Sequence, residues 1–354
     1  MDICLDDVNS YSAVDSTNLR GRLRDFPVQC KAAWEDGMAV SLPASYRGVK
    51  RVVIIGMGGS AIGGRILESL SYSDRGMVSV EVCGNYDLPS YVDKDTLVIA
   101  CSYSGNTKEV LSAFYQGVTK EIPLIVVTTG GVLLKEAYKR GIPGLVINYI
   151  GEPRSALGYT FLGPLAFLQQ LGLVNDCEND IYGAIDAVRD SVAQFHGEIP
   201  TRDNPAKQIA NYLMGKLVII YAYGFINPVA LRWKSQLNEN SKNWAFCEEI
   251  PEVHHNSVVG YSLPSVVSDF SEILLLTPAD VPDKIKKLYD VTAELLEAEN
   301  ISHRLIKAKG GSPIQQILTM VTLGDYTSYY LALLNNTDPS PVHSIDYIKK
   351  RSAT

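Results

Sequence analysis

Residues 51–70, RVVIIGMGGSAIGGRILESL, decide the fold predicted for this chain of 354 residues. Four β-branched residues in succession, at 52–55, predict a buried strand. The glycines that follow predict a tight turn, and apolar residues at helical spacing predict a helix after it. These apolar residues are Ile62, Ile66, Leu67 and Leu70. The stretch therefore predicts a unit of strand, loop and helix, which is the building block of parallel sheets.

Further apolar segments follow this unit at helix-sized intervals. The sequence predicts strands over 78–83, 96–101, 124–128 and 145–147, and an apolar helix over 164–173. Apolar runs that alternate with helices are typical of a parallel sheet covered on both faces. The first half is therefore predicted to be α/β.

The second half repeats this scheme. A strand, glycine turn and helix are predicted from residue 216 to residue 240, with strands over 273–276 and 304–306 and a long helix over 313–334. One shared strand and turn is weak evidence for duplication, because two unrelated parallel-sheet domains would look similar. The predicted organisation is a helical lead-in over 1–45, a first domain over 46–178 and a second domain over 179–354.

Composition and charge exclude several classes of function. The net charge is -7 and no run of Lys and Arg exceeds three residues, so a nucleic-acid footprint is lacking. The N-terminal residues are acidic, and the longest apolar run, 217–226, is far short of the roughly 20 residues that cross a bilayer. Six dispersed cysteines without a CxxC pattern argue against a zinc or dithiol site. We therefore expect a cytoplasmic protein that binds neither nucleic acid nor membrane.

The glycine loop after the first strand, residues 56–61, fits the GxGxxG/A pattern of dinucleotide-binding loops. Glu81 lies near the end of the next predicted strand, so the pattern alone would suggest a nicotinamide cofactor. The signal is weak, because glycines between a strand and a helix are needed wherever the backbone approaches any anion closely.

A second loop, SYSGNT at 102–107, places small hydroxyl and amide side chains around one glycine at a predicted helix start. Several hydroxyls together with backbone N–H groups can surround a tetrahedral anion without a lysine. Helix capping by Asn106 or Thr107 would explain two of these residues, but it would not explain Ser102 and Ser104. We therefore interpret the loop as a phosphate site.

Residues 234–260 offer a carboxylate and an imidazole on separate elements, which could act as base and acid on opposite sides of one small molecule. On spacing alone, Glu239 is a solvated residue paired with Lys242, an interaction of about 0.2–0.5 kcal/mol. His255, beyond the helix-breaking Pro251, fits a surface role equally well. A metal site is a further alternative, although its spacing matches no standard ligand pattern. Its ligands would be Glu249, Glu252, His254 and His255.

The succession of GMGGS, SYSGNT, NENSK and HHN, at 56–60, 102–107, 238–242 and 254–256, resembles the sugar isomerase (SIS) superfamily, specifically the archaeal bifunctional phosphoglucose/phosphomannose isomerases. The resemblance covers about residues 52–349. It implies two SIS-type subdomains, each a parallel sheet flanked by helices. It also implies a metal-independent enzyme of carbohydrate metabolism that needs no cofactor. That enzyme would interconvert glucose 6-phosphate and fructose 6-phosphate through a cis-enediolate. Mannose 6-phosphate would be a second aldose substrate.

The resemblance also assigns the substrate-binding residues. The sugar's 6-phosphate would be held by four hydroxyl side chains, with two glycines lining the sugar. The hydroxyl residues are Ser60, Ser102, Ser104 and Thr107, and the glycines are Gly58 and Gly59. A non-catalytic protein that senses sugar phosphates would keep this phosphate site and lack the base, and it remains the alternative function.

The catalytic residues follow from the same resemblance. Glu239 would be the base, and Arg154, which could otherwise cap a turn or pair with Glu152, would face the reacting carbons. His255, immediately before Asn256, would open the sugar ring from the neighbouring subunit of a homodimer, because the family has Asn where this chain has His254. The last assignments are a sugar-contacting lysine at Lys349, with Lys350 as the other register, and Ser340 as the small hydroxyl residue that admits the mannose epimer.

Overall fold

Two parallel sheets organise the chain, and this confirms the predicted α/β class. The computed structural model describes residues 3–73 and 76–352. They form two units. The N-terminal unit comprises Asp25–Asp186 and Ser312–Gln315, and the C-terminal unit comprises Met1–Arg24, Ala187–Gly311 and Gln316–Thr354. The domain boundaries predicted from the sequence stay a prediction. Residues 1, 2, 74, 75, 353 and 354 of the predicted domains lie outside the described residues.

The elements alternate as the sequence predicts. The strands are β1 (Arg51–Ile55), β2 (Ser79–Cys83), β3 (Thr96–Cys101), β4 (Leu124–Thr128), β5 (Gly144–Val146), β6 (Leu217–Tyr223), β7 (Ala245–Ile250), β8 (Ser271–Thr277) and β9 (His303–Lys307). The α-helices are α1 (Leu19–Arg24), α2 (Phe26–Ala39), α3 (Ile62–Ser73), α4 (Lys108–Thr119), α5 (Gly131–Lys139), α6 (Leu157–Gln170), α7 (Glu178–Phe195), α8 (Pro205–Leu213), α9 (Asn227–Glu239), α10 (Val267–Phe270), α11 (Asp283–Ala298), α12 (Pro313–Leu334) and α13 (His343–Ser352).

The two sheets share one topology. The strand order is β2-β1-β3-β4-β5 in the N-terminal unit and β7-β6-β8-β9 in the C-terminal unit, with parallel pairing throughout. In both sheets the first strand of the unit lies between the next two. The loops that follow β1 and β3 therefore leave the same edge of the sheet at the point where the strand order reverses, which is where open parallel sheets bind ligands.

The start of α6 differs from the prediction of an apolar helix over 164–173. The helix begins at Leu157 and carries Pro164 inside it. Every residue from Leu157 to Leu168 is buried, and small residues allow close helix contacts on both sides. A Cβ on Gly63 of α3 would lie 2.1 Å from the carbonyl oxygen of Thr160, and one on Gly37 of α2 would lie 3.1 Å from Cα of Gly163. Tight packing thus outweighs the helix-breaking tendency of glycine and proline.

Strand β7 is not predicted from the sequence. It is an edge strand whose exposed residues are Phe246 and two neighbouring glutamates, Glu248 and Glu249. Such a strand lacks the continuous apolar run that marks the central strands. The strand connects the end of α9 to the turn that carries His255.

Each unit has its own apolar core. In the N-terminal unit, Val98 and Val126 pack with Phe114 of α4, and in the C-terminal unit Ile273 and Leu275 pack with Tyr289 of α11. No helix within the described residues is long and apolar enough to span a membrane. The cores hold the sheets rigid and leave the loops at the strand ends to carry the polar side chains.

Candidate active site

The loops after β1 and β3 are joined by a hydrogen bond. The backbone N–H of Tyr103 donates to Oγ of Ser60 over 3.1 Å. Ser60 belongs to the short 3-10 turn Gly58–Ser60 at the end of β1, and Tyr103 follows β3 by two residues. Two motifs that are more than 40 residues apart in the sequence are therefore neighbours at the reversal point of the sheet.

The hydroxyls predicted to hold a phosphate all lie on these two loops. Oγ of Ser102 and Oγ1 of Thr107 are 2.9 Å apart, and the N–H of Gly105 donates to Oγ of Ser102 over 3.1 Å. The N–H of Asn106 donates to Oγ of Ser104 over 3.3 Å. Ser102 is 1% exposed, whereas Ser104 is exposed. The loop is thus a compact cluster of hydroxyl and N–H groups, with a buried base and an exposed rim.

Helix capping does not account for this loop. Thr107 occupies the N-cap position of α4, but its side chain makes no capping hydrogen bond. Oδ1 of Asn106 accepts from the N–H of Val132 over 3.1 Å, in the first turn of α5. The first-turn N–H groups of α4 and the positive end of its dipole thus remain at the loop, where they favour an anion.

Glycines let the surrounding backbone approach the loop. Gly105 has φ +66, and a Cβ on it would lie 1.9 Å from the carbonyl oxygen of Gly130. A Cβ on Gly59 would lie 2.7 Å from the backbone nitrogen of Arg154, whereas one on Gly58 would meet no atom within 4 Å. Gly59 is therefore required for the contact between the GMGGS loop and the turn that carries Arg154.

The turn that carries Arg154, Pro153–Ser155, is held by Gln29, and the segment before it by Tyr103; neither contact was identified from the sequence. Nε2 of Gln29 donates to the carbonyl of Ser155 and its Oε1 accepts from the N–H of Gly158, both over 2.9 Å. The hydroxyl of Tyr103 donates to the carbonyl of Tyr149 over 2.8 Å. Gln29 is 126 positions from Ser155, so no local sequence pattern could reveal its role.

Arg154 itself is 4% exposed, on the short turn that packs against the GMGGS loop. The carboxylate of Glu152 accepts from Oγ of Ser155 over 3.0 Å, which closes the same turn. The N-terminal unit therefore brings Arg154 close to the GMGGS loop. The same loop also lies close to the hydroxyl cluster of the SYSGNT loop.

Glu239 is the last residue of α9, in the C-terminal unit, and is half-buried. The asparagines on either side of it fix its backbone. The amide of Asn238 donates to the carbonyl of Ala245 and accepts from its N–H, both over 3.2 Å. Nδ2 of Asn240 donates to Oγ of Ser328 on α12 over 2.9 Å. Both asparagines of the NEN motif thus support the backbone around Glu239.

A buried polar seam fixes the rest of α9 against α12. Arg232 donates to both carboxylate oxygens of Asp325, from Nε over 3.0 Å and from Nη2 over 2.6 Å, and Gln236 donates to Oδ1 of Asp325 over 3.0 Å. Residues 232, 236 and 240 lie at intervals of four and therefore share one face of the helix. This face keeps the helix that ends at Glu239 from sliding.

The two neighbouring histidines point in different directions. Nε2 of His254 lies 2.7 Å from Oγ1 of Thr292, whose hydroxyl donates to the carbonyl of Leu288 over 2.6 Å. We therefore assign the proton to Nε2 of a neutral His254, and burial lowers the pKa of this imidazole. Nδ1 of His254 is buried without a hydrogen-bond partner among the described residues. His255, in contrast, is exposed.

The remaining predicted residues lie near the C-terminus. Ser340 is 7% exposed, and its hydroxyl contacts Oγ1 of Thr17 and Nη2 of Arg22. Lys349 and Lys350 lie in the last turn of α13, in an exposed stretch. Within residues 3–73 and 76–352 no group of three or more His, Cys, Asp or Glu side chains could hold a metal ion. That these residues and the hydroxyl cluster serve one bound hexose stays a prediction.

Comparison with known proteins identifies the family. A family model described as the bacterial phospho-glucose isomerase C-terminal SIS domain matches residues 202–351. A bifunctional phosphoglucose/phosphomannose isomerase from Caldicellulosiruptor bescii is 36% identical over 330 residues, which cover 93% of this chain and 97% of the relative. A D-glucosamine-6-phosphate 4-epimerase from Sulfolobus acidocaldarius is 30% identical over 91% of this chain and 95% of the relative.

Solved structures agree on the fold. A hypothetical protein from Thermus thermophilus matches with a TM-score of 0.72 at 18% identity, over 95% of this chain and 90% of that chain. The family follows from the sequence match, which extends over nearly the whole length of both proteins. The chain belongs to the family of bifunctional phosphoglucose/phosphomannose isomerases.

Proposed function

We propose that this protein interconverts glucose 6-phosphate and fructose 6-phosphate, with mannose 6-phosphate as a second aldose substrate. Two hydrogen bonds carry the proposal: Tyr103 N–H to Ser60 Oγ, which joins the two loops, and the contact of Ser102 Oγ with Thr107 Oγ1, which closes the SYSGNT loop on itself. They produce a compact, partly buried set of donors at the positive end of α4, which suits a phosphate dianion.

The phosphate anchors a substrate whose chemistry occurs at C1 and C2. Ser60, Ser102, Ser104 and Thr107 bind the 6-phosphate, while Gly58 and Gly59 leave room for the sugar. Gly58 supports this role, because a Cβ there would project into open space. Binding energy from the phosphate, remote from the reacting carbons, then serves to orient those carbons.

Proton transfer is assigned to Glu239. Its carboxylate removes the C2 proton of the open-chain aldose and returns it to C1, while a hydroxyl proton moves from O2 to O1. The intermediate is a cis-enediolate with negative charge, which a fixed cation stabilises. Arg154 suits this task, because a guanidinium that is 4% exposed is weakly screened by water and is always charged. Lys349 is proposed to contact the sugar.

His255 is proposed to open the sugar ring by giving a proton to the ring oxygen and taking one from the O1 hydroxyl. It acts from the neighbouring subunit of a homodimer. An exposed apolar stretch that follows His255 supports a surface covered by a second copy. Its side chains are exposed by 81% at Val259, 77% at Leu263, 58% at Val266 and 41% at Phe270.

We further propose a cytoplasmic location. No disulfide bond is formed by the six cysteines in the part of the chain that the structure describes, as is usual in a reducing compartment. Acceptance of both aldose epimers follows from the chemistry, since glucose and mannose phosphates share one enediolate and differ only in the face of C2 that receives the proton.

A second candidate function is 4-epimerisation of a hexosamine 6-phosphate, which the likeness to the Sulfolobus acidocaldarius epimerase favours. The deciding experiment incubates the purified protein with fructose 6-phosphate in the presence of EDTA and separates glucose and mannose phosphates by chromatography. Parallel incubations with glucosamine 6-phosphate test the epimerase. Formation of glucose phosphate or mannose phosphate supports the isomerase. If neither aldose phosphate forms, the isomerase function is refuted.

A further inference from the structure

Lys242 joins two segments of the C-terminal unit through backbone carbonyls. Its Nζ lies 2.8 Å from the carbonyl oxygen of Glu239 and 3.3 Å from that of Asn240, at the end of α9. It also lies 2.6 Å from the carbonyl oxygen of Asp338 and 3.2 Å from that of Pro339. One ammonium thus connects the helix end that carries Glu239 to the two residues that precede Ser340.

The backbone at this position points to a role for the ammonium. Lys242 has φ 52, the left-handed conformation that glycine adopts at lower cost just beyond a helix end. The final carbonyls of α9 have no partner within the helix and form the negative end of its dipole. A cation offsets this charge, which glycine could not do.

The segment on the other side of Lys242 is itself well fixed. The carboxylate of Asp338 accepts from Oγ of Ser16 over 2.5 Å and from the N–H of Ser340 over 3.0 Å. The hydroxyl of Ser340 contacts Thr17 and Arg22 of the N-terminal stretch. Lys242 is therefore a bridge between two ordered segments and not a tether for a loose one.

We propose that Lys242 is a positioning residue that fixes Glu239 relative to Ser340 and thereby sets the ratio of the initial rates at which glucose phosphate and mannose phosphate form. The inference rests on the proposed isomerase function. Both aldoses arise from one enediolate, so the ratio of their rates of formation depends on how the base is placed relative to the two faces of C2. A displacement of about 1 Å is enough to change such a step strongly.

The test compares Lys242→Met with Lys242→Arg, and uses Lys216→Met as the matched control. Lys216 lies in the same unit and also donates Nζ to a backbone carbonyl, that of Asp269 over 2.7 Å. The measurements are amide hydrogen exchange over residues 336–342, kcat and KM with fructose 6-phosphate, the ratio of the initial rates at which the two aldose phosphates form, and the thermal midpoint.

For Lys242→Met we expect faster exchange over 336–342, a kcat lower by about tenfold with KM within about twofold, and a product ratio shifted by about threefold or more. Lys242→Arg keeps a cation and retains most of the wild-type ratio. Lys216→Met leaves the exchange, kcat, KM and the product ratio unchanged. The thermal midpoints of the two Met variants are expected to fall by similar amounts.

Unchanged exchange over 336–342 in Lys242→Met, or a wild-type product ratio whatever the loss of kcat, overturns the inference. If the wild type forms only one aldose phosphate, the product ratio cannot be compared. The criterion is then whether Lys242→Met forms the other epimer, as the inference expects. A wild-type protein that forms no aldose phosphate refutes the function instead, and the exchange measurement then still decides whether Lys242 joins the two segments.

Discussion

The hydroxyls of Ser102 and Thr107 lie 2.9 Å apart at the start of α4, so the residue at the N-cap position directs its side chain to the preceding loop and not to the helix. This arrangement gives up the stabilisation of a side-chain cap, about 1 kcal/mol. It leaves the donors of the first turn for an anion.

Removal of either hydroxyl should weaken substrate binding more than folding. For Ser102→Ala and Thr107→Val we expect KM for fructose 6-phosphate to rise by about 10- to 100-fold, because a hydrogen bond to a charged group contributes about 1.5–3 kcal/mol. Steady-state kinetics measure the effect. Thr119→Val, at the other end of α4, is the control, and an equal rise of KM in that variant would contradict the assignment.

Replacement of the base should abolish turnover and spare binding. We expect Glu239→Gln to lower kcat by about 10²-fold or more, with the calorimetric Kd for fructose 6-phosphate nearly unchanged. Glu249→Gln, an exposed carboxylate on β7, is the control and should remain active in EDTA. Near-normal turnover of Glu239→Gln would leave the sugar-phosphate sensor as the better interpretation of this chain.

An added methyl group at Gly59 should displace Arg154. The new Cβ would lie 2.7 Å from the backbone nitrogen of Arg154, so the turn Pro153–Ser155 must shift. We expect Gly59→Ala to lower kcat/KM by about 10²-fold, as a displacement near 1 Å can. Gly48→Ala, where a Cβ meets no atom within 4 Å, is the control. Equal activity of the two variants would show that the contact has no role.

His254 should make stability depend on pH. Burial holds the pKa of its imidazole below the ordinary 6.5, so the folded state binds a proton less readily than the unfolded state. The free energy of unfolding should therefore fall as the pH drops below about 6.5 towards the folded-state pKa, and become flat below that value. Urea denaturation at pH 7.5 and 5.5 measures the effect.

The matched variants are His254→Gln, which removes the titrating group, and His343→Gln on the exposed helix α13. The pH-dependent loss should be smaller in His254→Gln than in the wild type, and the same as the wild type in His343→Gln. If the free energy of unfolding falls by the same amount between pH 7.5 and 5.5 in all three proteins, a group other than His254 causes the pH dependence.

The sequence predicts the central strands and the helix α12 closely, because a continuous apolar run or a long helical pattern is a local property. Glu239 and the SYSGNT loop also stand out locally, as short polar groups beside apolar elements. Their roles, however, rest on resemblance, since spacing alone favours a solvated Glu239 and permits a capped helix.

Other features could not be predicted, because their partners are distant in the chain. Gln29 supports the turn of Arg154 from 126 positions away, and Asn240 reaches Ser328 across 88 positions. The predicted start of α6 is wrong because close packing between helices favours glycines that a local rule treats as helix breakers. The different surroundings of His254 and His255 follow from the contact of His254 with Thr292 of α11, which no pattern in HHN reveals.

The amide of Asn238 meets Ala245 in both directions, so the last turn of α9 and the first residue of β7 close a ring of fixed size. The connection over 240–244 consequently does not tolerate changes of length. Insertions and deletions that accumulate among active members of this family should spare it and collect in loops outside such rings. Among divergent sequences, a gap at this point would mark a chain that has kept the fold and lost the isomerase.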